Sequence, residues 1–183
     1  QDGTVSGDCL GLMGIDISTI AAYQAGRGYD ANYVYNGQTI AAMDVYKDLP
    51  IVVLTPTSSE MSLTQAGYTN FFRINANDAT QARIDAAFLV NKLQAKRVAV
   101  VHNDDPYGIG LAKLLSDELG KLGAQAVLNL QVKVEQSEYI AEVQQIKAAA
   151  PDAIFYAGYE IETPYLRNAL VKVSVRRALA IRS

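Results

Sequence analysis

The stretch VAVVHNDDPYGIG, residues 98–110, decides the fold class of this chain. Its first half is a run of β-branched and small apolar residues, which is typical of a strand buried in a parallel sheet. Its second half is polar and leads into a helix whose apolar stripe is formed by Leu111, Leu114, Leu115 and Leu119. Open α/β sheets bind small ligands at such strand ends, so the stretch predicts a βα unit with a binding edge.

A second segment, LTPTSSEMSLTQAGYTNFFRI at residues 54–74, has the same organisation. A predicted strand at Ile51–Leu54 ends in a turn of hydroxyl residues, and Phe71–Ile74 is a further extended piece. Two such strand ends in one short chain predict a ligand held between two lobes. The halves meet near residues 75–78, just after FFRI, so we expect one lobe at residues 1–77 and the other at residues 78–183. No Pro/Gly/Ser-rich linker separates them, which predicts a strand-to-helix crossover between the lobes and not a flexible tether.

Apolar runs alternate with amphipathic stretches through the rest of the chain, which indicates βα units around a parallel sheet. The further predicted strands are Leu10–Ile15, Tyr33–Tyr35, Arg97–His102, Ala126–Leu130, Ala153–Tyr156 and Ala178–Ile181. The predicted helices are Ser18–Gln24, Thr39–Tyr46, Asp78–Leu93, Ile109–Leu122, a helix that Ser137 caps and Pro151 stops, and Thr163–Val171. The core-facing residues are expected to be Ala82, Ala86, Phe88, Val90 and Leu93 in the helix from Asp78, and Ile140, Val143 and Ile146 in the helix after Ser137.

Composition and charge bound the classes of function. The 183 residues carry a formal net charge of −3 and the pI is near 5.1, so no nucleic-acid-binding surface is expected. No apolar run reaches the roughly 18 residues that a membrane span requires. One cysteine, Cys9, and one histidine, His102, provide no intrachain disulfide and no expected metal site. The chain begins at Gln1 without a methionine or a signal segment, so we expect a processed or trimmed product from which any export signal has already been removed.

Several segments, in matching order and spacing, resemble the type I periplasmic binding proteins, and most of all the leucine/isoleucine/valine-binding receptors of ABC importers. The segments are TIAAMDVYKD (39–48), IVVLTPTSSEMSLTQAGYTNFFRI (51–74), NDATQAR (77–83), VAVVHNDDPYGIGLAKLLSDELGKLGA (98–124), DAIFYAGYEIE (152–162) and LRNAL (166–170). The resemblance implies an α/β fold of two flavodoxin-like lobes with parallel sheets. Both lobes are expected to be incomplete, because the family's first strand–helix unit has no clear counterpart in residues 1–32 and its return segments would follow Ser183.

In this family two lobes close on an amino acid, and the resemblance implies ligand-binding roles for six residues. They are Thr57, Ser58 and Ser59 in the turn of the first lobe, Asn36 before it, and Tyr107 and Tyr159 in the other lobe. The turn would hold the ligand's α-carboxylate and α-ammonium groups, the asparagine lies where the family often has a carboxylate-binding serine, and the tyrosines would wall the ligand. A zwitterion needs both donors and acceptors, which hydroxyl residues at a strand end provide, while tyrosines add flat apolar cover.

The resemblance also implies a function. The protein would bind a small amino acid, of the branched-chain type or a related amide, in the periplasm or at the cell exterior. It would then present the ligand to the membrane permease of an ABC importer after hinge closure, with no bond chemistry and no cofactor. The alternative is a ligand-sensing or structural domain of the same fold that has no transport role.

The residue patterns leave some assignments open. The hydroxyl turn can form simply by satisfying its own backbone, and Asn36 followed by glycine is a turn signal by itself. Tyr156 and Tyr165 lie near Tyr159 in sequence and are alternatives to it as the wall residue.

Two groups of carboxylates suggest other chemistry. Asp104 and Asp105 after a strand are similar to the Mg²⁺ site of receiver domains, but no phosphoacceptor aspartate ends a later strand. Glu160 and Glu162 suggest the acid and base of an enzyme, yet no nucleophile, phosphate loop or dinucleotide fingerprint accompanies them. We therefore expect no enzyme activity and interpret both glutamates as solvated carboxylates at a helix start.

Overall fold

The structure, a computed structural model, describes residues 36–50, 52–173 and 178–182. The chain divides between Asn77 and Asp78 into two compact units. The strands predicted at Leu10–Ile15 and Tyr33–Tyr35 and the helix predicted at Ser18–Gln24 lie outside the described residues.

The described part of the first unit is a pair of parallel strands covered by helices. Its elements are α1 (Asn36–Tyr46), β1 (Val53–Thr55), α2 (Ser62–Gln65) and β2 (Phe71–Arg73). Val53 lies opposite Phe71 in the strand pair, and both side chains are buried against Ala42, Met43 and Tyr46 of α1 and Leu63 of α2. The predicted helix and the two predicted strands of this region are confirmed with shifted ends, whereas α2 is not among the predicted elements.

The second unit contains one four-stranded parallel sheet. Its elements are α3 (Asp78–Ala87), β3 (Arg97–Asn103), α4 (Pro106–Lys121), β4 (Gln125–Val132), α5 (Ile140–Ala149), β5 (Ala153–Ala157), α6 (Thr163–Lys172) and β6 (Ala178–Arg182). The strand order is β4-β3-β5-β6, and every neighbouring pair is parallel. Each strand–helix alternation predicted for this region is confirmed.

Helices cover both faces of this sheet, which explains why its central strands are apolar without alternation. Along β3, Val98 and Val100 face one hydrophobic cluster, and Ala99 and Val101 face the other. The first cluster is completed by residues of α3 and α4, and the second by residues of α5 and α6. The stripe predicted on α4 is confirmed, with Leu114 partly buried and its three partner leucines fully buried.

The end of the third helix differs from the expected pattern. After Ala87 the chain continues as a π-helical turn, Phe88–Lys92, in which the N–H of Leu93 donates to the carbonyl of Phe88 at 3.1 Å. This turn inserts one extra residue, so the faces that follow are rotated away from the α-helical pattern. Leu89 is fully buried while Phe88 is 48% exposed and Leu93 is 37% exposed, so the predicted core roles of Phe88 and Leu93 are wrong. Those of Ala82 and Ala86 are confirmed.

The start of α5 also differs from expectation. The helix begins at Ile140, and the residue at its N-cap position is Tyr139, whose side chain makes no capping hydrogen bond. The predicted cap at Ser137 is therefore wrong, because the chain enters the helix by burying the tyrosine ring, which is 1% exposed. Val143 and Ile146 are buried as expected, but Ile140 is 72% exposed.

None of the helices in the described ranges has the length and apolar character that crossing a membrane requires.

Candidate functional site

The turn after β1 is shaped by a threonine side chain at the end of the strand. The Oγ1 of Thr55 accepts hydrogen bonds from the N–H of Ser58 at 3.0 Å and from the N–H of Thr57 at 3.4 Å. Thr55 is fully buried on the strand face that also carries Val53. A polar residue on an otherwise apolar strand face is the signal in the sequence that could have identified this support.

Ser58 is used inside the first unit. Its Oγ lies 2.6 Å from the Oγ1 of Thr39, and both hydroxyl residues are buried. This bond ties the turn to α1, while the N–H of Ser58 is held by the strand end. Ser58 therefore fixes the shape of the turn, and Thr57, which is exposed, and Ser59, which is buried, are the remaining hydroxyl residues of the predicted binding turn.

Side chains from the end of β2 hold the carbonyl side of the turn. The Nη1 of Arg73 donates to the carbonyl oxygen of Glu60 at 2.9 Å and to that of Ser58 at 3.4 Å. The Nδ2 of Asn75 donates to the carbonyl oxygen of Thr57 at 2.9 Å. The turn is thus braced from two strands, a role for Arg73 and Asn75 that the sequence did not reveal.

In the second unit the structure brings Tyr107 and Tyr159 together. Their ring centroids are 6.1 Å apart, and the ring planes are inclined by 19° in a stacked arrangement. Tyr107 lies in the first turn of α4, and Tyr159 follows β5. Because β3 and β5 are adjacent parallel strands, the segments that follow them meet at the same edge of the sheet. Both rings are partly exposed there.

The first turn of α4 places Tyr107. The Oδ1 of Asp105 caps the helix by accepting from the N–H of Tyr107 at 2.9 Å, and Pro106 is the first helical residue. The Tyr107 hydroxyl accepts from the Nε2 of Gln81 at 3.3 Å. Gly108 allows the helix to begin close to the sheet, since a Cβ there would lie 2.8 Å from the carbonyl oxygen of Ala157.

The aspartates that suggested a cation site have structural partners. Asp105 is the helix cap, and the Oδ1 of Asp104 accepts from the N–H of Val134 at 2.8 Å. The Nδ1 of His102 lies 2.8 Å from the carbonyl oxygen of Asn103. Among the described residues, no group of three or more His, Cys, Asp and Glu side chains is arranged to hold a metal ion.

Glu162 differs most from its expected state. The sequence favoured a solvated carboxylate, but this side chain is fully buried, whereas Glu160 is exposed. The Oε2 atom accepts from the Tyr156 hydroxyl at 3.1 Å and from the N–H of Tyr159 at 3.2 Å. The Oε1 atom accepts from the N–H of Glu135 at 2.9 Å. Two of these donors lie within six residues of Glu162, but the third, Glu135, is 27 residues away, so the local sequence does not reveal the complete set of partners.

The hydroxyl groups around this carboxylate are held in their neutral form. Burial raises the pKa of the Tyr156 hydroxyl, and the negative charge of Glu162 raises that pKa further. Burial likewise raises the pKa of Tyr139, with added effects from Glu162 and Glu142. Tyr156 is therefore protonated at neutral pH and can donate to the carboxylate.

The remaining predicted residues are placed as follows. Asn36 is the first residue of α1, and its side chain lies outside what the structure describes. Of the alternatives to Tyr159, Tyr156 is fully buried and cannot present its ring to a ligand. Tyr165 is half exposed on α6.

Comparison with known proteins identifies relatives of this chain. A family model described as periplasmic binding protein matches residues 28–169. An amino acid binding protein of Pseudomonas aeruginosa is 33% identical over 134 residues, which is 73% of this chain and 36% of the relative. A Leu/Ile/Val-binding protein of Citrobacter freundii is 31% identical with the same coverage. The chain spans little more than a third of the length of these relatives.

Solved structures share the fold. A periplasmic binding protein type 1 from Bordetella pertussis superimposes with a TM-score of 0.72 at 21% identity, covering 80% of this chain and 41% of that one. A leucine binding protein from Thermotoga maritima gives a TM-score of 0.70 at 24% identity, covering 78% and 40%. The predicted fold class, type I periplasmic binding protein lobes with parallel sheets and partial coverage, is confirmed.

Proposed function

The chain belongs to the periplasmic binding protein family, and from that premise we propose that it contributes the ligand-binding part of an extracytoplasmic receptor for a small amino acid. The ligand class is of the branched-chain type or a related amide, and the receiving partner is the membrane permease of an ABC importer. The names of the relatives, which are amino acid and Leu/Ile/Val-binding proteins, support this class.

The observation that carries the proposal is the braced turn after β1. In this proposal Ser59 offers its N–H and hydroxyl to the ligand's carboxylate, and Thr57 offers its carbonyl oxygen to the ammonium group. The shape of the turn is set by Thr55, Ser58 and Arg73 through bonds of 2.6 to 3.4 Å. A turn that is already organised loses little freedom on binding, so more of the interaction energy appears as affinity.

The tyrosine pair of the second unit supplies the apolar part of the proposed site. Stacked rings with two torsions each present a flat surface at low entropic cost. Tyr107 and Tyr159 would cover the side chain of the ligand. Asn36 remains a proposed carboxylate contact.

We propose no bond chemistry at this site. Glu162 is fully buried and accepts from three donors, so it does not have the access to substrate that a general acid or base needs. Glu160, which is exposed, has no nucleophile beside it in the sequence.

A thermal-shift screen of the protein against the amino acids and their amides tests the proposal. A ligand that binds only the folded state should stabilise it by about 2.7 kcal/mol when its concentration is a hundred times Kd. We expect a shift with leucine, isoleucine or valine, and none with the corresponding amines, which lack the carboxylate. If no amino acid or amide raises the melting temperature, the receptor function is wrong and the ligand-free structural domain is favoured.

Calorimetry on two variants checks the residues. Ser59→Ala removes a hydroxyl from the carboxylate site, and Tyr107→Ala removes half of the apolar wall. Each should weaken binding by at least about tenfold, because a hydrogen bond to a charged group contributes about 1.5–3 kcal/mol and a buried aromatic contributes a similar amount. Ser116→Ala on α4 is the matched control and should leave Kd unchanged. Tyr165→Ala on α6 removes the exposed alternative to Tyr159 and should also leave Kd unchanged if Tyr159 is the wall residue. Unchanged affinity in both test variants would show that the pocket lies elsewhere.

A further inference from the structure

One buried carboxylate joins two loops at the edge of the sheet in the second unit. The Glu162 side chain contacts the loop after β4 through the N–H of Glu135 and the loop after β5 through the N–H of Tyr159. Its third donor, the Tyr156 hydroxyl, comes from β5 itself. These loops lie beyond the carboxyl ends of their strands, where α/β sheets bind ligands.

Burial of this carboxylate needs compensation. Moving a carboxylate out of water costs much free energy unless hydrogen bonds or charge partners replace its hydration. Glu162 is fully buried, and two of its three donors are backbone N–H groups of irregular segments. Each loop brings one N–H within hydrogen-bond distance of the carboxylate, so the burial of the carboxylate and the loop conformations depend on each other.

The backbone at Glu135 shows that the first loop is constrained. This residue adopts the left-handed conformation, with φ of 63°, which is unfavourable for a side chain larger than glycine. Such conformations persist where the surrounding structure enforces them. The 2.9 Å bond from the Glu135 N–H to the Glu162 Oε1 contributes to that constraint, together with the bond from the Val134 N–H to Asp104.

The second loop carries the residue that matters for binding. The Tyr159 N–H bond to Glu162 fixes the backbone from which the ring extends, and that ring stacks on Tyr107. The hydroxyl of Thr163 donates to the Tyr159 carbonyl at 3.3 Å, so both peptide groups around this residue are held from the start of α6.

We propose that Glu162 is a positioning residue, which clamps the loops after β4 and β5 together and so holds the Tyr159 ring in its stack on Tyr107. Its effect on affinity rests on the proposed ligand-binding function, whereas its effect on the ring stack does not. Glu162 itself does not contact the ligand.

The decisive variant is Glu162→Met, which fills the same volume with an apolar side chain and removes both acceptor oxygens. Replacing a buried charge by an apolar residue of similar size is often tolerated, so the variant should fold. Tyr156→Phe is the matched control, because it removes one donor to the same carboxylate but leaves the bonds to Glu135 and Tyr159.

The first readout needs no ligand. In protein labelled on its tyrosine rings, with the signals assigned from Tyr107→Phe and Tyr159→Phe, the nuclear Overhauser effect between the two rings reports the stack. We expect this effect in the wild type and in Tyr156→Phe, and its loss in Glu162→Met. A ring contact that survives in Glu162→Met overturns the proposal.

The second readout is the affinity for the amino acid found in the screen. Glu162→Met should weaken binding by about tenfold, because a mobile Tyr159 must be ordered again when ligand binds, and Tyr156→Phe should retain the wild-type Kd. If both variants lose the same affinity, the cause is a general loss of stability, and the positioning role of Glu162 is overturned. If the wild type binds no ligand, the proposed function fails while the ring contact still decides the role of Glu162.

Glu162→Gln extends the test should the methionine variant not fold. Its single carbonyl oxygen can serve the Tyr156 and Tyr159 donors, while its NH₂ group then faces the N–H of Glu135. We expect the ring contact to be retained and the Glu135 amide to exchange its hydrogen faster than in the wild type. An unchanged Glu135 amide would show that no clamp exists.

Discussion

Gly158 lies against the ring of Tyr156, whose hydroxyl donates to Glu162. This contact limits the size of the side chain that position 158 can carry. A Cβ at position 158 would lie 2.5 Å from the Cζ of Tyr156 and closer still to its hydroxyl oxygen. Tyr156 is fully buried with its hydroxyl bonded to Glu162, so its ring has nowhere to move. The residue before Tyr159 is therefore glycine for steric reasons.

Gly158→Ala should destabilise the folded protein by about 1–3 kcal/mol, as expected for overpacking beside a fixed ring. Gly110→Ala is the control, because that glycine is within α4 and a Cβ there meets nothing within 4 Å. The control should stabilise the protein by about 0.5–1 kcal/mol, since alanine favours the helix. Urea denaturation measures the free energy of unfolding of both variants. Equal stabilities would show that the Tyr156 ring can move away from the added methyl group.

At the scale of elements, the π-helical turn after α3 decides which apolar residues reach the core. In an ordinary helix Ala82, Ala86, Leu89 and Leu93 would share one face, and the structure buries the first three but leaves Leu93, which follows the π-helical turn, 37% exposed. The N–H of Ala95 donates to the carbonyl of Leu89 at 3.0 Å, so the chain leaves the turn directly toward β3. The wider turn therefore adjusts the helix end to the position of the sheet.

Leu89→Ala should lower the free energy of unfolding by about 2–5 kcal/mol, because it opens a cavity in the first hydrophobic cluster of the second unit. Phe88→Ala, one residue earlier and half exposed, should change it by no more than about 0.5 kcal/mol. Denaturant titration of both variants gives the comparison. A larger loss for Phe88→Ala would contradict the burial of Leu89 and the exposure of Phe88.

At the scale of the whole molecule, the two units differ in how their strands are buried. The central strands β3 and β5 have a neighbour on each side and helices on both faces. In the described part of the first unit, β1 and β2 form a two-stranded sheet. Phe72 in β2, and Val52 and Ile74 next to the strands in sequence, are each at least half exposed. Local stability follows the number of buried apolar contacts, so the units should open at different free energies.

Hydrogen exchange on the full chain tests this difference. The amides of β3 and β5 should be the slowest to exchange, and those of β1 and β2 should exchange by openings of lower free energy. If the proposed function holds, saturating ligand should slow the amide hydrogen exchange of the strands in both units. Equal protection of all four strands without ligand would show that the chain opens as one cooperative unit.

Much of the fold was predictable because its signals are local. The apolar run at residues 98–102 and the leucine stripe of α4 specify a βα unit through burial on both faces of a strand and one face of a helix. The failures at Leu93 and Ser137 arose where a helix end adapts to what it packs against. Periodicity assumes a regular helix and does not include that adaptation.

By itself, the sequence determined the α/β class, the family, and the positions of the hydroxyl turn and of Tyr107 and Tyr159 along the chain. Only the tertiary structure decided that Ser58 is used inside its own unit and that Glu162 is buried. The physical reason is that these states depend on partners far away in sequence, such as Thr39, which is 19 residues from Ser58, and Glu135, which is 27 residues from Glu162. A hydroxyl or carboxylate favours water unless folding brings such a partner to it.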